Sequence, residues 1–145
     1  MKILQPVNSN DMNAYFHFRW KLLRAPWDQP IGSEKDEFEE SAFHIMATDD
    51  QDIIVGVGRI HPTDTTTAQI RYMAVSPESR NQGVGSMIIN ALEYQARSEN
   101  ISKLVLNARD SAVGFYQQHN YQSTGKANTL YNRIPHTQMQ KELRY

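Results

Sequence analysis

The sequence predicts an α/β protein built on a mixed sheet, an antiparallel meander joined to a parallel strand-helix-strand crossover, with helices on both faces. Three observations carry that expectation. Runs rich in β-favouring residues cluster between 43 and 75 with short polar turns between them. A helical apolar pattern over 83–97 has such a run on either side, and a helix of that length between two strands packs back as a parallel crossover. A further helix and two weaker strand runs follow to the C-terminus.

Asn10 or Asp11 can cap a first helix, whose Tyr15, Phe16, Phe18, Leu22 and Leu23 fall at helical spacing and which Pro26 ends. Residues 25–40 (APWDQPIGSEKDEFEE) read as a loop and a short polar helix, with Glu37, Glu39 and Glu40 on a solvated face. Phe43–Ala47 and Ile53–Ile60 are strands joined by an acidic turn, and a Thr-rich turn leads to a third at Ala68–Val75. From Gly83 to about Arg97, Val84, Met87, Ile88, Ala91 and Leu92 mark one face of an amphipathic helix. Lys103–Asn107 is the next strand. Asp110 or Ser111 can cap a helix bearing Ala112, Val113, Phe115 and Tyr116, and strands near Tyr121–Lys126 and His136–Lys141 close the chain.

At 145 residues the chain suits one core, so 1–145 is expected to be a single domain. Hydrophobic residues at 39% and charged residues at 21% fit a globular protein and not a disordered one. Lys plus Arg number 15 against 16 Asp plus Glu, with no basic stripe, which argues against a nucleic-acid partner. No apolar run reaches membrane-spanning length and the N-terminus lacks a signal h-region, so a cytoplasmic protein without a membrane partner is expected. The absence of cysteine removes disulfides, thiol nucleophiles and thiolate metal sites, and no metal is expected.

The sharpest local signal is Arg80, Asn81, Gln82, Gly83, Val84, Gly85, Ser86, between a strand and a helix. A helix start leaves N–H groups unpaired and carries roughly half a positive charge. Glycines would let an anion approach the backbone, and Arg80 adds a multidentate cation. Read blandly, this is a turn with a solvated arginine. A dinucleotide loop would need Gly or Ala where Ile88 stands and an acid about twenty residues on, where 104–107 are neutral. An ATP loop would need Gly-Lys-Ser/Thr, and Gly85 is followed by Ser86 and Met87.

The segment MAVSPESRNQGVGSMIINALEYQA resembles the acetyl-CoA motif of the GNAT-superfamily N-acetyltransferases: Arg or Gln, two residues, Gly, any residue, Gly or Ala. Arg80, Gly83 and Gly85 satisfy it, and KLVLNAR and DSAVGFYQQHNY resemble the strand and Phe-Tyr helix that follow in the family. Both chain ends resemble small bacterial members of unassigned substrate. The resemblance implies a GNAT-like fold and transfer of an acetyl group from acetyl-CoA to a primary amine by direct attack on the thioester. The acceptor would be a small molecule or a protein or peptide amine, and the resemblance leaves room for a homodimer. The other reading is a non-catalytic acyl-CoA sensor or interaction module on the same fold.

By the same resemblance, Met73, Ala74 and Val75 would hold the pantetheine arm through their backbone, and an N–H there would face the thioester carbonyl. Asn81, Gln82, Gly83, Val84, Gly85 and Ser86, with Arg80, would bind the pyrophosphate, and Asn107 would lie beside the arm. Tyr116 matches the general acid, although spacing alone makes Phe115 and Tyr116 core aromatics. A phenol of pKa about 10 stays protonated where an ordinary thiol of about 8.5 does not. Asn120 stands where the family has a helix-ending Gly and can take the same left-handed turn. For the general base, His61, His136, Glu34 and Glu78 stay open, as does a water chain. Arg24, Trp27 and Glu34 are the expected acceptor contacts.

Overall fold

The computed structural model describes residues 1–143. Its elements are β1 (Lys2–Leu4), α1 (Ser9–Leu23), β2 (Phe43–Thr48), β3 (Ile54–Pro62), β4 (Thr67–Val75), α2 (Val84–Ser98), β5 (Lys103–Arg109), α3 (Val113–Gln118), β6 (Gln122–Lys126) and β7 (His136–Glu142). The strands form one sheet in the order β1-β2-β3-β4-β5-β7-β6. Every neighbouring pair is antiparallel except β4 and β5, the parallel pair that α2 connects. The expected mixed sheet is therefore present. No helix among the described residues is long and apolar enough to cross a membrane.

Local expectations are corrected where tertiary contacts decide. β1 is missing from the sequence reading because it is too short to show alternation; it is a strand through pairing with Thr48, Ala47 and Met46. The first helix starts earlier than Asn10 or Asp11 would place it: Asn8 is the cap, its Oδ1 accepting the Asp11 N–H at 2.8 Å. The short polar helix within 25–40 is absent; a 3-10 turn at Ala25–Trp27 is followed by a succession of turns. Asp110–Ala112 is likewise a 3-10 turn leading into α3. Asn120 takes the left-handed turn at φ 70°.

α2 and α3 cover one face of the sheet and α1 the other. Ile88, Ile89 and Leu92 of α2 meet Leu104 and Leu106 of β5 in the larger core. Helix and sheet lie close enough that a Cβ on Gly58 would stand 2.6 Å from Ile88 Cγ2, so this strand position excludes a side chain. Glu93, buried on α2, accepts from Tyr121 Oη at 2.9 Å and from Lys141 Nζ at 2.9 Å, tying the helix to the β7 side of the sheet.

Under α1 the apolar core is small, Tyr15 with Met46 and Val57, and charge completes it. Arg19 and Arg59 are both 0% exposed. Glu39 accepts from the Nη1 of each at 2.9 Å, while Asp36 accepts from both Nη atoms of Arg59 and from Arg71. Glu39 is thus no part of a solvated face. Two carboxylates from the 31–41 turns clip that segment onto β3 and β4.

Burial by itself would raise the Asp36 carboxyl, but hydrogen bonds from Arg59 and the Phe38 amide, with the charges of Arg59 and Arg71, hold it well below its usual range. A carboxyl depressed in the folded state contributes stability above its unfolded pKa of about 3.9 and loses it as pH falls toward the folded value. Asp36→Asn is expected to lose roughly 2 kcal/mol at neutral pH. Urea unfolding across pH should show the difference from wild type shrinking below about pH 4.

Candidate active site

The site begins where the sheet comes apart. Parallel pairing joins only Thr67, Ala68 and Gln69 to Lys103, Leu104 and Val105, and beyond Gln69 the two strands separate. The cause lies one strand over, where Gly58 of β3 faces both Tyr72 and Met73: Val57 pairs with Ala74 but Arg59 with Arg71. Tyr72 takes the left-handed conformation of this bulge at φ 58°. Ala68 and Ile70 belong to the α2 face, yet Tyr72 turns to the arginines of the α1 face, and Met73 and Val75 then return to the α2 face. The β5-facing edge of β4 past Gln69 is left without a strand partner. A cavity of about 370 Å³ fills the split, lined by Arg24, Met73, Asn107, Arg109, Tyr116 and His136 among others.

The glycine-containing loop does not line the cleft itself but packs against α3, whose Tyr116 does. Asn81 and Gly83 are both left-handed, at φ 63° and 82°, an alternation that turns successive N–H groups toward one side. The first amide to rejoin the helical ladder is Met87, bonded to the Gly83 carbonyl at 3.0 Å. Among the described residues, the amides of 81–86 have no acceptor within the chain. Arg80 is exposed beside them and has no ion-pair partner among the described residues. The two glycines divide the work differently from expectation. Gly83 faces open space and is needed for its φ, whereas a Cβ on Gly85 would stand 3.0 Å from the Phe115 ring.

That contact docks α3 on the first turn of α2. Ser86 Oγ adds a hydrogen bond to His119 Nε2 at 3.0 Å, so the loop and the Phe-Tyr helix are held as a unit. Tyr116, 8% exposed, packs edge-on against Phe115 and Tyr121 and reaches the cleft. Burial raises its phenol above the ordinary value, keeping it protonated. No group among the described residues hydrogen-bonds its hydroxyl.

The remaining candidates divide. His136 lines the cleft, and its Nδ1 lies 2.8 Å from the Ile134 carbonyl. A carbonyl only accepts, so Nδ1 carries a proton, and Nε2 has no hydrogen-bond partner among the described residues. His61 lies elsewhere, in a separate hollow with Phe38 stacked on it at 4.5 Å. Arg59 Nη2 donates to its Nδ1 at 2.9 Å, and burial followed by the Arg59 charge lowers its pKa, so its lone pair is engaged. Glu34 is buried, accepting the Gly32 amide at 2.7 Å, and shapes the loop without reaching the cleft. Trp27, half-buried, does not line the cleft, and Glu78 sits on the exposed turn before the loop. Arg24 does line it. Arg109 was not singled out from the sequence, although Val105, Asn107 and Arg109 alternate with apolar Leu104, Leu106 and Ala108 and so declare a second face.

A mixed sheet that splits between β4 and β5, with an array of free amides at the start of the crossover helix, makes a cleft with an anion-ready end. The chain belongs to the GNAT acetyltransferase family: the model described as "Acetyltransferase (GNAT) domain" matches residues 27–143. It is 32% identical over 142 residues to the uncharacterized N-acetyltransferase YjcF of Bacillus subtilis strain 168, covering 98% of this chain and 100% of that protein. Among solved structures, an aminoglycoside 6'-N-acetyltransferase complexed with coenzyme A superposes with a TM-score of 0.80 at 18% identity, over 98% of this chain and 97% of that one. A GNAT-family acetyltransferase from Staphylococcus aureus Mu50 gives 0.80 at 16% identity over 99% of both chains.

The division of labour between the glycines can be measured. Gly85→Ala is expected to cost about 1–3 kcal/mol because the buried Phe115 ring must yield. Gly83→Ala, with open space around it, should cost only about 1 kcal/mol for the left-handed backbone. Denaturant midpoints in the reverse order would contradict this assignment.

Proposed function

We propose that this protein is a cytosolic, single-domain N-acetyltransferase that moves the acetyl group of acetyl-CoA directly to a primary amine. The observation that carries the reading is the Tyr116 hydroxyl at the cleft, on a helix docked against a loop of six amides, neither it nor they having a hydrogen-bond partner among the described residues. The residues present fit the donor. Amides 81–86 and Arg80 suit a pyrophosphate, and the open edge of β4 at Met73, Ala74 and Val75 can bond an extended amide-bearing arm as an added strand would. Asn107 offers a polar side chain on the facing strand.

When bound, acetyl-CoA supplies the thioester carbon that the amine attacks. His136 Nε2 takes the proton that the amine must lose, and a backbone N–H of β4 steadies charge on the thioester oxygen. The Tyr116 hydroxyl gives its proton to the departing sulfur. A phenol raised by burial holds that proton until a thiolate forms.

Acetyl-CoA should bind and raise the melting temperature, and thiol should be released once a suitable amine is present. Tyr116→Phe is expected to lower kcat by roughly 100-fold or more while leaving acetyl-CoA affinity unchanged. Calorimetric titration beside a thiol-release assay separates the two quantities. Failure to bind at millimolar acetyl-CoA would sink the proposal, and binding without turnover on any amine would favour a sensor.

A further inference from the structure

The split runs through the sheet, so its cleft has two mouths. Tyr116 and the loop of free amides belong to the α2 and α3 side. Arg24 follows α1 on the opposite side, and Arg109 alternates with Leu104, Leu106 and Ala108, which point into the α2 core. Arg24 and Arg109 therefore share the α1 mouth, across the sheet from the loop that suits the pyrophosphate. Resting on the acetyltransferase reading, we propose that the acceptor is an amine that also bears an anionic carboxylate or phosphate, held by Arg24 and Arg109 at this mouth.

The charge inventory of the cleft supports this. Three arginines line it, Arg24, Arg71 and Arg109, and no Asp or Glu does among the described residues. Arg71 is answered by Asp36 Oδ2 at 3.0 Å. Arg24 and Arg109 have no carboxylate partner among the described residues. Arg24 is only 7% exposed, and its Nε and Nη1 donate to the Ser33 and Leu23 carbonyls at 3.0 and 3.1 Å. Those two bonds fix the plane of the guanidinium and leave Nη2 without an acceptor among the described residues. Tyr72 and Tyr131 lie 5.6 and 6.0 Å from its Cζ, walls that position the cation without cancelling its charge. Arg109 is pushed down by burial first and then by the charges of Arg24 and Arg80, as expected of cations gathered without a counter-ion.

A buried cation without a partner costs stability, and an anionic ligand that supplies the partner gains a charge-assisted, bidentate bond. A polycationic amine meets repulsion at the same place. Arg80 is near enough for its charge to act on Arg109 but is exposed beside the loop amides and does not line the cleft, which leaves Arg24 and Arg109 as the cleft cations for the acceptor.

The test uses the full chain at saturating acetyl-CoA and amine pairs differing only in the anionic group: ethanolamine with O-phosphoethanolamine, and glycinamide with glycine. Spermidine and an aminoglycoside are the polycationic arms. In at least one pair the anionic member should have the higher kcat/KM by roughly tenfold or more. The pair in which it does so separates carboxylate from phosphate. Arg24→Gln and Arg109→Gln should each erase most of that preference through the acceptor KM, with acetyl-CoA affinity unchanged. Equal or better turnover of neutral or polycationic amines overturns the proposal, as does a variant that weakens acetyl-CoA in place of the acceptor. The Arg109 side chain makes no hydrogen bond among the described residues, so Arg109→Gln carries the test if Arg24→Gln unfolds. If none of these amines turns over, inorganic phosphate and succinate are titrated into the CoA-saturated protein by NMR. Saturable binding of either, lost in Arg109→Gln, supports the seat, and no binding overturns it. Absence of acetyl-CoA binding by the wild type instead strikes the acetyltransferase reading, and the two failures are thereby distinct.

Discussion

Tyr72 holds a left-handed backbone that costs a non-glycine residue on the order of 1–3 kcal/mol, and four guanidiniums gather on its ring. Arg19, Arg71, Arg59 and Arg24 lie 4.1, 4.6, 4.9 and 5.6 Å from its centroid. Cation–π attraction of this kind is worth about 0.5–2 kcal/mol apiece, enough together to offset the strained backbone. Holding Tyr72 on the α1 face inserts the extra residue into β4, and past that bulge β4 no longer follows β5. The cleft, the free strand edge and the approach to Tyr116 all follow from this one displacement.

The arginines that hold the ring must themselves be held. Asp36 and Glu39 do so from a segment without regular structure, giving residues 31–41 a structural task their exposed-looking composition conceals. A polar network packed under a helix has few alternative arrangements, because each carboxylate moved away would strand a buried guanidinium. The same network brings the segment after α1, including Arg24, against the mouth of the cleft. Arg24 thus belongs both to this network and to the cleft, while on the opposite face the loop of free amides is joined to α3 through Gly85 against Phe115 and Ser86 against His119.

Much of the site was legible locally. A loop of free amides at a helix start depends on residues adjacent in sequence, and the six amides follow from 81–86 alone once a helix begins at Val84. The role of Gly85 was not legible, since the ring it accommodates comes thirty residues later. Histidines show the same limit. His61 and His136 look equivalent in the chain, but Arg59 occupies the lone pair of one, and the Ile134 carbonyl fixes the tautomer that frees the other.

By itself the sequence determined the alternation of strands and helices, the single parallel crossover, the glycine-containing loop at the start of α2 and the Phe-Tyr helix. Each rests on periodicity or on neighbours a few residues apart. Only the tertiary structure decided that β1 is a strand, that Glu39 is half-buried against Arg19 and Arg59, that β4 bulges at Tyr72, and that Arg24 and Arg109 share one mouth of the cleft. These depend on groups far apart in sequence meeting away from water, where an unpaired charge or a strained backbone costs enough to select one arrangement.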